Sequence, residues 1–99
     1  MSPTLQRDPI LRAIVRICRD SDANYVGVFG SYARGEATKT SDIDLLVRFK
    51  ETKSLFDIGG LQTELSNVAG RPIDITTQIP TNPYVRPQVE MDLLPLYEE

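Results

Sequence analysis

The residues with the clearest potential for chemistry lie between Gly30 and Asp44. Gly30-Ser31 directly follows the apolar run Val26–Phe29, and Asp42 and Asp44 open a second apolar run after a polar loop. Because residues two apart on a strand project to one face, these carboxylates are predicted to lie about 6–7 Å apart. Carboxylates this close repel each other unless a shared proton, an arginine or a divalent metal lies between them. The spacing suits Mg²⁺, which takes one or two carboxylates and fills its other positions with water and phosphate oxygens.

The Gly30-Ser31 pair has the features of a turn that binds phosphate. Glycine lets the chain turn sharply and lets a ligand approach the backbone. Ser31 is predicted to begin a short helix, where its hydroxyl and backbone N–H can meet an anion. Arg34 returns to the same face three residues later, within reach of a phosphate. Lys39 and Arg71 are further cations that could touch phosphates, but a solvated position is favoured for each.

A third carboxylate is predicted at Asp74, the only acidic residue in an apolar and hydroxylated strand pattern over residues 73–77. If that strand neighbours the strand of Asp42 and Asp44, its carboxylate can point at the same spot. Three carboxylates on adjacent strands can hold two metals that clamp the attacking and leaving oxygens of a phosphoryl transfer. Taken alone, an Asp-x-Asp most often belongs to a solvated turn. Its combination with Gly-Ser directly after the preceding strand favours nucleotidyl transfer.

Helical and strand patterns predict the scaffold for these residues. After a polar lead-in over residues 1–7, Asp8-Pro9 starts an amphipathic helix of about three turns. A second amphipathic helix is predicted over residues 54–69, with Gly70 as its C-terminal glycine. The other predicted elements are strands over residues 25–29, 42–49 and 73–77, a short helix over 84–91, and a short strand over 93–97.

The apolar positions of the two later helices predict which faces are buried. In the second helix, spacings of three and four residues predict a buried face made by Leu55, Ile58, Leu61, Leu65 and Val68. Ser54 with Asp57 is predicted to cap this helix, and Gly59-Gly60 in its middle predicts a kink or a close packing contact. In the short helix, the residues predicted to face the core are Val85, Val89 and Met91.

Length and composition narrow the class of protein. Ninety-nine residues make a single domain, residues 1–99, and the net charge of −3 with dispersed Lys and Arg argues against stable binding of duplex nucleic acid. The single Cys18, predicted to be buried, excludes a disulfide within the chain and fits the cytoplasm. No apolar stretch approaches the roughly 20 residues of a membrane span. With no histidine, acid–base or metal chemistry must use carboxylates.

The motif residues resemble a known family. Gly30-Ser31, ten intervening residues, and Asp42-Ile43-Asp44 resemble the defining motif of the DNA polymerase beta-type nucleotidyltransferase superfamily. The fuller GSYARG and SDIDL resemble its minimal nucleotidyltransferase (MNT) branch, and Asp74 matches the third carboxylate of the family. The resemblance covers nearly the whole chain. It implies an α/β fold in which helices pack against a small mixed β-sheet.

The resemblance also implies a site and a reaction. Two Mg²⁺ ions would be held by Asp42, Asp44 and Asp74, with a nucleoside triphosphate gripped near Gly30 and Ser31. Asp74 would also help to deprotonate the acceptor hydroxyl. Many MNT proteins are antitoxins that transfer AMP from ATP to a tyrosine hydroxyl on a HEPN ribonuclease toxin. The resemblance therefore implies a HEPN-type toxin as both acceptor and partner in a hetero-oligomer.

Two other functions fit parts of the sequence. An antitoxin could neutralise its partner by binding alone, with an idle or sensory nucleotide site, but such a protein has no need to keep three carboxylates clustered. A small-molecule nucleotidyltransferase, similar to aminoglycoside-modifying enzymes, is disfavoured because a chain of 99 residues leaves no room for an acceptor-binding domain. Replacing Asp42 and Asp44 with asparagine separates catalysis from binding, because only catalysis needs the carboxylates.

Overall fold

A computed structural model describes residues 8–99 of the chain; the polar lead-in, residues 1–7, lies outside that range. It contains four helices and four strands, and most of their boundaries lie within two residues of those predicted from the sequence. In chain order the elements are α1 (Pro9–Asp20), β1 (Ala23–Phe29), α2 (Gly30–Arg34), β2 (Ile43–Phe49), α3 (Leu55–Ala69), β3 (Ile73–Thr76), α4 (Arg86–Asp92) and β4 (Leu94–Glu98).

The four strands form one mixed sheet in the order β3-β2-β1-β4. β1 pairs antiparallel with both β2 and β4, whereas β2 and β3 run parallel. Alternate residues of β1 and β2 are fully buried on one face, namely Val26, Val28, Ile43, Leu45 and Val47. The small mixed sheet predicted from the sequence is therefore confirmed.

Helices α1 and α3 cover the apolar face of the sheet. α1 begins as predicted, because the Asp8 side chain accepts hydrogen bonds from the backbone N–H groups of Ile10 and Leu11, at 2.9 and 3.3 Å. Its buried side chains are Leu11, Ile14 and Cys18. The predicted burial of Cys18 is confirmed, and that burial raises the pKa of its thiol to about 12.

The outer edge of β3 is closed by side chains of α3. The backbone N–H of Ile73 donates to Ser66 Oγ, and the N–H of Ile75 donates to Gln62 Oε1, both at 3.0 Å. The other edge of β3 pairs with β2. This four-residue strand is therefore held from both sides.

Two of the predicted buried positions in α3 are wrong. Leu61 and Leu65 are buried, but Leu55 is 88 % exposed and Val68 is 49 % exposed. At 100° per residue, these two side chains lie roughly 65–75° from the centre of the buried stripe, so they reach its margins only. The close contact predicted at Gly59-Gly60 is also wrong, because a Cβ at either glycine would meet nothing within 4 Å.

The prediction for α4 is also partly wrong. Val89 is buried, but Met91 is 81 % exposed and Val85 is 44 % exposed. Met91 follows Val89 by two residues and so lies about 200° around the helix. Val85 precedes the first helical residue, Arg86, and is not part of the packed face.

The start of α3 offers a test of the capping interaction. The Ser54 hydroxyl accepts from the N–H of Asp57 at 3.0 Å, and the Asp57 carboxylate accepts from the N–H of Ser54 at 3.3 Å. Ser54→Ala is therefore expected to lower the free energy of unfolding by about 1 kcal/mol. Thr63→Ala, an exposed hydroxyl deletion within the same helix, should change it by less than about 0.5 kcal/mol. Urea denaturation measures both, and equal effects would contradict the assigned cap.

Within residues 8–99, no helix has the length and apolar character that crossing a bilayer requires.

Candidate active site

Asp44 and Asp74 are direct neighbours on the two parallel strands. In the register of β2 and β3, Asp44 pairs with Asp74, between the pairs Ile43–Ile73 and Leu45–Ile75. The isoleucines and Leu45 project towards the helices, so both aspartates project to the opposite face. The prediction that the strand of Asp74 lies next to the strand of Asp44 is thereby confirmed.

Asp42 lies one residue before β2, which begins at Ile43 rather than at Asp42 as predicted. It is still close enough to act on Asp44 electrostatically. Partial burial raises the pKa of the Asp44 carboxyl, and repulsion from Asp74 and then from Asp42 raises it further, while Arg34 lowers it. Burial first and the neighbouring negative charges second therefore raise the pKa of Asp44, and a bound cation would relieve the repulsion.

Gly30 is in contact with the carboxylate of Asp44. It follows the last residue of β1, Phe29, which pairs with Asp44 across the sheet. Its φ of +77° favours glycine, and a Cβ at this position would collide with Asp44 Oδ2. A sharp turn was predicted for Gly30, but the carboxylate that excludes a side chain there was not.

Ser31 is the second residue of the five-residue helix α2 and is half-buried. Gly35 ends this helix in the left-handed conformation, with φ +75°. The Asp44 carboxylate and the predicted phosphate-binding turn therefore lie together where β1 ends and β2 begins. Lys39, in the loop between α2 and β2, is exposed, as predicted.

Arg34 is held by two carboxylates. Its Nε donates to Glu36 Oε2 at 3.0 Å and its Nη1 donates to Asp92 Oδ2 at 2.5 Å. The side chain of Asp92 is only 8 % exposed, so α4 contributes a nearly buried carboxylate beside the predicted phosphate ligand. Asp92 was not predicted as part of the site, because it is 58 residues away from Arg34 and belongs to no motif.

Tyr32 makes two further contacts that were not predicted from the sequence. Its hydroxyl donates to Asp8 Oδ2 at 2.5 Å, and the guanidinium of Arg71 lies over its ring, 5.3 Å from the centroid. Burial and the hydrogen bond to Asp8 raise the pKa of Tyr32 to about 12. Arg71, which is half-buried, also donates to the carbonyl of Thr38 at 3.0 Å, so it is only partly as solvated as predicted. These contacts connect α2, Thr38 in the loop before β2 and Arg71 before β3 to the start of α1.

The donor set fits a hard divalent cation, because carboxylate oxygens are the ligands that Mg²⁺ prefers. Within residues 8–99, however, no three acidic, cysteine or histidine side chains converge on one point. Asp44 and Asp74 are paired on adjacent strands, and Asp42 lies two residues before Asp44. Asp42, Asp44 and Asp74 are therefore the residues that would hold the ion, with rotation of at least one side chain needed for all three to contribute.

The position of Arg34 leads to a test of its predicted phosphate contact. We expect Arg34→Gln to weaken the binding of Mg-ATP by about tenfold, because a charge-assisted hydrogen bond to phosphate would be lost. Arg86→Gln is the matched control, because Arg86 also forms a carboxylate pair, with Glu90 at 2.6 Å, but on the outer side of α4. Isothermal titration calorimetry measures both affinities. Equal affinities for the two variants would show that Arg34 does not contact the nucleotide.

Comparison with known proteins agrees with this geometry. The family model for the nucleotidyltransferase domain matches residues 11–95. A Methanocaldococcus jannaschii protein named as a protein adenylyltransferase is 40 % identical over 80 residues, which are 81 % of this chain and 86 % of that protein. A solved structure of a minimal nucleotidyltransferase is 38 % identical, with a TM-score of 0.73 and 97 % of each chain covered.

A more distant neighbour shares the fold. It is the complex of a tri-AMPylated Shewanella oneidensis HEPN toxin with its MNT antitoxin, at 19 % identity and a TM-score of 0.69. That match covers all of this chain and 74 % of the solved one. The match over residues 11–95, the identity with adenylyltransferases and the paired aspartates at the sheet edge agree, and the chain therefore belongs to the nucleotidyltransferase domain family and is an enzyme of that class.

Proposed function

We propose that this protein transfers AMP from ATP to a tyrosine hydroxyl of a protein partner. The observation that carries the proposal is the register of Asp44 beside Asp74, with Gly30 packed against the Asp44 carboxylate. This arrangement puts acidic side chains next to the turn that the family uses for phosphates. The name shared by the curated relatives, protein adenylyltransferase, supports AMP as the transferred group.

Each residue of the site has a proposed role. Asp42, Asp44 and Asp74 hold divalent metal, with Mg²⁺ as the ion and two ions as the expected number. Gly30 and Ser31 bind the triphosphate through backbone and hydroxyl groups. Arg34, which already pairs with two carboxylates, neutralises phosphate charge.

The reaction is an in-line displacement at the α-phosphorus of ATP. The acceptor oxygen forms a bond to phosphorus, the bond from phosphorus to the bridging β-oxygen breaks, and pyrophosphate leaves with the electron pair. The hydroxyl proton passes to the Asp74 carboxylate and then to solvent. When bound, Mg²⁺ neutralises the charge that develops on the phosphate oxygens.

The proposed acceptor is a HEPN-type ribonuclease toxin, and the protein acts as its antitoxin in a hetero-oligomer. Support comes from the fold neighbour, in which an MNT antitoxin accompanies a HEPN toxin that carries AMP. The acidic net charge of −3 fits a protein acceptor better than a nucleic acid. We place the reaction in the cytoplasm and assign it to one minimal nucleotidyltransferase domain, residues 1–99.

The deciding experiment is intact-mass analysis of the product of the adjacent gene, the proposed HEPN-type partner, after incubation with the chain, Mg²⁺ and each NTP in turn. We expect added mass equal to one or more AMP units with ATP, and none with the Asp42→Asn variant. No added mass with any NTP, despite a stable complex, would overturn the proposal.

Neutralisation by binding alone is the second candidate function. The observation in its favour is that no three ligand side chains converge within the described residues 8–99. A double Asp42→Asn, Asp44→Asn variant separates the two functions. If it still neutralises the toxin in cells, binding suffices; if it forms the complex but no longer neutralises, transfer is required.

A further inference from the structure

A pocket of about 470 Å³ opens at the end of β2 that is remote from Asp44. It is lined by Phe49, the last residue of β2, whereas Asp44 is the second residue of the same strand. Five residues at about 3.3 Å each place these positions roughly 16 Å apart along the strand. The pocket, called here the distal pocket, is therefore separate from the candidate active site.

The distal pocket has an apolar part with two large exposed side chains beside it. Phe49, Ile58 and Leu61 contribute to its lining. Phe56 also lines it and is 89 % exposed, and its neighbour Leu55 is 88 % exposed. Phe56 lies in the lining, and Leu55 is next to it in the chain. Large apolar side chains left in water at a concave surface are typical of an interaction site.

The rim of the distal pocket is acidic. Four of its residues carry carboxylates, Asp20, Asp22, Asp57 and Glu64, against the single cation of Lys53. The Lys53 ammonium illustrates the recognition that these groups allow. It lies 3.6 Å from Asp22 Oδ2 and 6.0 Å from the centroid of the Phe49 ring, between a carboxylate and an aromatic face.

We propose that the distal pocket docks a segment of the protein acceptor that carries an arginine or lysine beside an apolar side chain. The excess of carboxylates complements the cation, and Phe56 with Leu55 complements the apolar neighbour. This inference rests on the proposed function, because it takes the acceptor to be a protein. A docking site remote from Asp44 lets the partner stay bound while its tyrosine enters and leaves the active site.

The test measures the affinity of the full chain for the HEPN-type protein encoded beside it, by biolayer interferometry. Phe56→Ser and Glu64→Lys are each expected to weaken binding at least tenfold, and Glu64→Lys should also reduce its salt dependence. The matched controls are Met91→Ser, an equally drastic change at an exposed position on α4, and Glu51→Lys, the same charge reversal outside the pocket lining. Both controls should bind as the unmodified chain does.

Unchanged melting temperatures and unchanged Mg-ATP affinity in the pocket variants verify that folding and the active site are intact. The docking proposal is overturned if the pocket variants bind like the controls, or if the unmodified chain forms no complex. Failure of the proposed function looks different, because the unmodified chain would then bind the partner through the pocket and yet add no AMP. In a charge-swap experiment, one basic residue of the partner is changed to glutamate and the variant is paired with the Glu64→Lys chain. The partner residue whose change restores affinity is the docked cation.

Discussion

Asp44→Asn is expected to reduce nucleotidyl transfer by on the order of 10²–10³-fold or more while it raises the melting temperature of the protein without nucleotide or metal. Transfer falls because the amide removes the negative charge that would hold the metal. Stability rises because the carboxylate is partly desolvated and is repelled by Asp74 and Asp42, which is why its pKa is raised. The activity is measured by mass spectrometry and the stability by calorimetry.

The pH dependence of the stability gain has a definite sign. A carboxyl whose pKa is higher in the folded state than in the unfolded state destabilises the fold once it is ionised. The gain from Asp44→Asn should therefore be absent below the ordinary aspartate pKa of about 4, grow as the pH rises from there to the raised pKa, and be complete above the raised pKa. Each 1 kcal/mol corresponds to about 4–8 °C in a domain of this size.

Glu51→Gln is the control for Asp44→Asn, because it removes a carboxylate of an exposed residue in the turn after β2. It should change neither transfer nor the pH profile of stability. If Asp44→Asn lowers the melting temperature at neutral pH instead, then the carboxylate makes a net stabilising contact and the repulsion inferred from its neighbours is wrong.

Gly30→Ala is expected to cost at least about 100-fold in transfer, since a displacement of about 1 Å in a reacting site has effects of that size. The methyl group would collide with Asp44 Oδ2, so the carboxylate or the turn must move. The positive φ of Gly30 adds backbone strain of about 1–2 kcal/mol. Both transfer and the free energy of unfolding should therefore fall.

Gly35→Ala separates strain from collision. Gly35 has nearly the same φ, +75°, but a Cβ there would meet nothing within 4 Å. It should lose about 1–2 kcal/mol of stability through strain and retain most of its transfer activity. If both glycine variants lose activity to the same extent, the collision with Asp44 is not the reason for glycine at position 30.

The fold and the adjacency of Asp44 and Asp74 could be predicted because both depend on local spacing. The period of two along β2 places Asp44 opposite the buried Ile43 and Leu45, and the only acidic residue in the next strand pattern is Asp74. The resemblance of the motif to nucleotidyltransferases then supplied what spacing alone leaves open, the identity of the reaction.

Contacts between distant segments could not be predicted in this way. Asp92 reaches Arg34 across 58 residues, and Asp8 reaches Tyr32 across 24, so no periodicity relates the partners. The exposed Leu55 and Met91 show a different limit. An apolar pattern reports which side chains could be buried, whereas actual burial depends on what the fold brings over them.

The hydrogen bonds that the backbone of β3 donates to Ser66 and Gln62 limit where another strand can be added to this sheet. An exposed strand edge is a template on which another chain can add a strand, and β3 is at such an edge. Because side chains of α3 already occupy the outward N–H groups of Ile73 and Ile75, that template is blocked beside Asp74. Any extension of the sheet by a partner or by aggregation is therefore directed to the opposite edge, β4, where Pro95 removes one of the donors that a new strand would need.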